Sequence, residues 1–65
     1  MTAAYLPEIP KGRAEYLWAS GQTVMANTAS DPEPRIIVAW KDGQVQFYHS
    51  NEWYEPLAFY QVLFA

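Results

Sequence analysis

His49 is the only histidine and there is no cysteine, so the chain holds one imidazole and no thiol. A nucleophilic site would need His49 beside Ser20, Ser30 or Ser50 with an orienting acid, and none of those serines sits in a nucleophile motif. His49 and Glu52 are three apart but flank a turn, and no second histidine completes a metal-ligand set. Glu52 and Glu55 stand close together beside Trp53 and Tyr54, and a carboxyl against an indole can have a raised pKa. A glycosidase cleft, however, asks for more chain than 65 residues supply. The three glycines, at 12, 21 and 43, are isolated, so there is no phosphate-cradling loop. The expectation is a non-enzyme that needs no cofactor and no metal.

Binding chemistry is better represented. The stretch Tyr48-His-Ser-Asn-Glu-Trp-Tyr-Glu55 places three aromatic rings, a histidine and two acids across one turn, with no basic residue. Tyrosine and tryptophan dominate binding hot spots because they bring rigid area with a polar tip. The net charge is −3, yet residues 1–41 balance four basic against four acidic side chains. After Lys41 there is no lysine or arginine, which leaves Asp42, Glu52 and Glu55 without a basic neighbour in sequence. A nucleic-acid face needs clustered basic residues, so direct nucleic-acid binding is not expected. The candidate partner-binding set is Asp42, Tyr48, Glu52, Trp53, Tyr54 and Glu55. Its acids would face a basic protein surface, and its rings would supply the anchor.

A hairpin must position that set. Asp42-Gly43 suits a two-residue type I′ turn, with Arg35–Lys41 and Gln44–His49 as its arms. Counting outward pairs Lys41 with Gln44, Trp40 with Val45, Val38 with Phe47 and Ile36 with His49. One face then carries Ile36, Val38, Trp40, Val45 and Phe47 as core, with His49 at its open end. The wet face carries Arg35, Ile37, Ala39, Lys41, Gln44, Gln46 and Tyr48.

Residues 1–12 hold Pro7, Pro10 and Gly12 and read as an extended arm packed through Tyr5, Leu6 and Ile9. Arg13–Thr28 reads preferentially as a second hairpin turning at Ser20-Gly21. A short helix with Ala14, Leu17 and Trp18 as its stripe and Gly21 as its C′ residue is the competing assignment. Residues 28–34, with two prolines, form a flexible loop. The tail from Leu57 is apolar in both strand registers, which calls for cover on both sides; a helix begun at Pro56 is the alternative.

The fold class that follows is all-β, or α+β with one short helix. It is a single domain, 1–65, built as a small antiparallel meander of four to five strands in an SH3-like curled sheet or barrel. Eleven aromatic residues stand in for absent disulfides in filling a thin core. Met1-Thr-Ala-Ala-Tyr5 has neither the basic start nor the apolar run of a secretory signal, and no apolar run is long enough to span a bilayer. A cytoplasmic protein with no membrane partner is the expectation.

In size, acidity and lack of cysteine the chain is similar to compact phage-encoded inhibitors of host machinery, anti-CRISPR proteins among them. The likeness is one of character, carried by no motif. It implies a small acidic binding domain that occludes a basic surface of a nucleic-acid-handling or defence complex in a bacterial host cell. The alternative is an assembly subunit that joins a complex, or a homodimer, through its apolar C-terminal strand. Aromatic stacking on a small ligand or carbohydrate is a third possibility.

Overall fold

The turn at positions 42 and 43 forms as its residue types require. Asp42 has a φ of 52° and Gly43 a φ of 78°, both in the left-handed region that short polar residues and glycine tolerate best. Around it, the computed structural model describes residues 4–64. In chain order the elements are β1 (Ala4–Tyr5), β2 (Glu8–Ile9), α1 (Lys11–Ala19), β3 (Val24–Asn27), β4 (Arg35–Lys41), β5 (Gln44–Phe47), β6 (Ala58–Gln61) and β7 (Leu63–Phe64). A five-stranded antiparallel sheet has the order β2-β6-β3-β4-β5, and β1 pairs with β7 beside it. The fold is therefore a mostly-β one with a single short helix. Strands β3, β4 and β5 run as a meander; β6 then crosses back to lie between β2 and β3.

The N-terminal arm is extended as far as Pro10. Ala4 pairs with Phe64, Tyr5 with Leu63, Glu8 with Tyr60 and Ile9 with Phe59, all in one register. Pro7, which has no N–H to give, still accepts a bond from the Gln61 amide at 3.0 Å. The two short ladders are thus one seam along the C-terminal strand, which forms in place of a helix from Pro56. Residues 1–3 and 65 lie outside the described residues.

The preferred hairpin over residues 13–28 is overturned: Lys11–Ala19 is α-helix. Its C-terminus explains why. The Gln22 amide donates to the Leu17 carbonyl and the Gly21 amide to the Trp18 carbonyl, each at 3.0 Å, with Gly21 at a φ of 87°. That is a Schellman stop, and the Ser20 hydroxyl adds a bond to the Tyr16 carbonyl at 2.8 Å. At the other end Pro10 gives no side-chain cap, and Lys11 and Arg13 put positive charge where the helix dipole disfavours it. Packing outweighs that deficit. Ala14 and Leu17 are buried against the sheet, so an element too short to persist alone is held by tertiary contact.

The second correction lies in the hairpin. Lys41 pairs with Gln44 and Trp40 with Val45, as the turn dictates, but the register then slips. Ala39 faces Gln46 and Ile37 faces Phe47, with Val38 bulged between them, so neither Val38–Phe47 nor Ile36–His49 pairs. Ile37 is consequently buried, while Ile36 and Val38 are 39% and 51% exposed. Ile36 instead opposes Met25 on β3.

The core comprises Ala14, Leu17, Val24, Ala26, Ile37, Val45, Phe47 and Phe59, with Ile9, Trp18, Trp40 and Tyr54 packed against it. Trp40 lies flat on Phe59, ring centroids 4.9 Å apart and planes 10° from parallel. Trp18 meets Trp40 at 6.0 Å and 59°. Residues 28–34 are tied by backbone bonds exchanged between Thr28 and Asp31, and by Asp31 accepting from the Glu33 amide and the Arg35 guanidinium.

Candidate functional site

The candidate residues lie along the free side of β5. Tyr54 and Val45 exchange two backbone hydrogen bonds, at 2.9 and 2.8 Å, so residues 52–56 return antiparallel beside β5. Alternation from that bridge puts Tyr54 on the core side, 5.5 Å from the Phe47 ring. Trp53 and Glu55 project to the other side, next to Gln46 and Gln44. Adjacent residues on an extended segment cannot share a face, which explains why Tyr54 is half-buried and Trp53 is 41% exposed.

The intervening turn is closed by a ring of hydrogen bonds. The Glu52 amide donates to Ser50 Oγ at 3.2 Å, Ser50 and Tyr54 hydroxyls meet at 3.1 Å, and Tyr54 OH donates to Glu52 Oε2 at 3.1 Å. The tyrosine has one proton to give, so the serine donates to it. Gln46 Nε2 adds a bond of 2.7 Å to the Asn51 carbonyl. Ser50 is thereby engaged in structure. His49 is exposed rather than seated on the core face, with its ring 6.0 Å from Phe47 and 5.6 Å from Tyr48.

The six residues do not converge on one point. Glu55 and the turn residue Gly43, adjacent to Asp42, line the same cleft at one end of β5. Tyr48, 67% exposed, and Glu52 lie at the other end, roughly 13 Å away at about 3.3 Å per residue. Tyr54 is spent on the core. What they form is an acidic edge with Trp53 in its middle. Among the described residues, the only ion pairs join Arg35 to Asp31 and Glu33, which leaves Asp42, Glu52 and Glu55 without a basic partner within 4 Å. Among the described residues no group of three His, Asp or Glu side chains could hold a metal ion. No helix there is long and apolar enough to cross a membrane.

A larger feature was missed at the sequence level. Residues opposite one another in a ladder share a face, and the registers chain Glu8 to Tyr60, Tyr60 to Met25 and Met25 to Ile36 across four strands. That row lies on the side away from α1. Leu6, Val62, Val38 and Phe64 extend it, the last 70% exposed. A groove of about 590 Å³ opens where β3 begins, lined by Gly21, Gln22, Thr23, Met25, Ile36, Val62 and Phe64. The signal was present in the doubly apolar tail; the bulge at Val38 hid the contribution of β4. Compared with family models, curated proteins and solved structures, the chain matches none.

Proposed function

We propose that this chain is a non-catalytic protein-interaction domain whose contact surface is the open sheet face together with the acidic edge beside it. The observation that carries the reading is the row Tyr60–Met25–Ile36 on the face without a helix, half-buried at its first two members and exposed at Ile36, Val38, Leu6 and Phe64. Contiguous apolar patches beyond a few hundred Å² are rare on monomers and mark binding surfaces. Toward β5 the face grades into Gln46, Trp53 and Glu55, with Asp42 and Glu52 at the ends. The partner that fits is a protein with an apolar spot bordered by basic residues, the acids giving steering and register and the apolar rows the adhesion.

The narrower form of the proposal is that the basic surface is a nucleic-acid groove of a bacterial nucleic-acid-handling or defence complex. A phage- or mobile-element-encoded inhibitor of the anti-CRISPR kind would occlude such a groove. Small size, a net charge of −3 and the unpaired acids support it.

The test is affinity capture from a bacterial lysate with wild type, Ile36→Glu and the triple variant Asp42→Lys, Glu52→Lys, Glu55→Lys. Prey lost with Ile36→Glu, and weakened by the triple variant and by salt, is the expected result. Identical prey from all three overturns the proposal. The second reading, self-assembly, uses the same apolar face and the C-terminal strand. Light scattering that shows a monomer at every concentration removes it.

A further inference from the structure

We propose that the cleft lined by Trp18 and Trp40 is a binding site for a guanidinium group, the side chain of an arginine on a partner. The cleft, about 230 Å³, is lined by Glu15, Trp18, Ala19 and Trp40. It lies at the C-terminal end of α1, on the opposite side of the sheet from the open face, and does not depend on how that face is used.

Three observations select the ligand. First, the two indoles are fixed but not consumed. Trp40 stacks on Phe59, 4.9 Å away, and meets Trp18 at 6.0 Å and 59°, and both rings still line the open cleft. The Trp18 indole N–H is donated to the Ile37 carbonyl at 3.5 Å, so the polar edge of that ring points into the protein and not into the cleft. What the cleft offers is π surface, whose negative quadrupole attracts a cation, tryptophan most strongly of the three aromatics.

Second, Glu15 stands on the rim, three and four residues before Trp18 and Ala19 and so on the same helical stripe. It is exposed and has no ion pair within 4 Å among the described residues. Lys11, one turn earlier, lines the separate cleft at the start of the helix. Lys41, next to Trp40, opposes Gln44 and points to the other face of the hairpin.

Third, the walls are planar and tilted with a carboxylate at the margin. That shape suits a flat, weakly hydrated cation that stacks on an indole while its N–H groups reach a carboxylate. A guanidinium meets both conditions, and a compact ammonium only the second.

The experiment follows the three indole N–H signals by NMR while Nα-acetyl-arginine amide is titrated at constant ionic strength. Trp53, exposed and outside the cleft, is the internal control. Expected are saturable shifts at Trp18 and Trp40 with Trp53 stationary, and none with the neutral isostere Nα-acetyl-citrulline amide. Glu15→Gln should weaken binding about threefold to fivefold. Ala19→Leu, at an exposed position, should fill the cleft and abolish it.

The proposal is overturned if Trp18 and Trp40 stay still, if Trp53 moves with them, or if the citrulline compound acts equally. Wild-type titration of Ala19→Leu overturns it too. Should that variant lose amide dispersion, Glu15→Gln decides alone, and unchanged affinity there is refutation. Capture experiments stay separate: prey retained alongside a flat arginine titration sinks the cleft while leaving the interaction-domain reading intact.

Discussion

The two faces of the sheet are built from the same strands and both carry apolar side chains, yet only one is a core. Val24, Ala26, Ile37 and Phe59 are buried, while on the face without a helix Met25 and Tyr60 are half-buried and Ile36 is exposed. The difference is α1. Among the described residues there is one nine-residue helix with which to cover a sheet, and Ala14 and Leu17 seat it on one side. Strand hydrophobicity alone therefore does not decide burial here; the supply of covering elements also counts.

The sharpest way to break that comparison is to remove the cover. Leu17→Ala should cost about 2–5 kcal/mol, because a large side chain leaves a packed interior that cannot fully collapse. Against the ~5 kcal/mol at the low end of domain stabilities, that leaves about 0–3 kcal/mol and a markedly lower melting temperature. A thermal melt followed by far-UV circular dichroism reads this directly. A wild-type midpoint would mean that the helix is not what makes one face a core.

Gly43→Val comes next, at about 1–2 kcal/mol. No atom lies within 4 Å of a Cβ built at Gly43, so the cost is backbone conformation and not collision. Gly43→Asn, which tolerates positive φ, should recover most of it. Equal melting of the two variants would contradict the turn.

How far the hairpin was legible follows from its two arms. In β5 the order Gln-Val-Gln-Phe alternates cleanly, and Val45 and Phe47 are buried as read. In β4 the run Ile-Ile-Val-Ala-Trp has no polar residue to mark a face, so counting from the turn was the only guide. Counting holds until a bulge inserts a residue, and nothing in five consecutive apolar side chains announces one. The acidic edge was legible because charge needs no register. The tryptophan cleft was not, because Trp18 and Trp40 come together only if residues 11–19 are helical. The stripe Ala14, Leu17, Trp18 and the stop at Gly21 were visible, but a helix this short is decided by packing that the sequence does not display.

Deleting Val38 sharpens the point. With it gone, Ile37, Ala39, Trp40 and Lys41 would oppose Phe47, Gln46, Val45 and Gln44 in unbroken alternation. The fold should survive at a cost of about 1 kcal/mol, the usual scale for a single change outside the core. Cross-strand NMR contacts between Trp40 and Val45 should persist. Their loss would make the bulge a requirement for the sheet's curvature and not a local accommodation. On the open face, Ile36→Ser should shift stability by less, about 0.5 kcal/mol, while still reducing partner capture.

The smallest effect belongs to the 28–34 loop. Asp31 has its carboxyl held below the ordinary carboxylate range, first by the Glu33 amide it accepts from, then by Arg35 at 3.2 Å. A depressed folded-state pKa favours the native state above the unfolded value near 4, and the contribution disappears as pH falls through the folded value. Asp31→Asn should therefore lower the melting temperature slightly at pH 7, by an amount that vanishes in acid as the wild-type carboxyl itself becomes protonated. Because the group is exposed and salt screens its pairing with Arg35, the difference at pH 7 should narrow in 1 M sodium chloride. A difference that persists at acid pH would assign the loop's order to the shape of Asp31 and not to its charge.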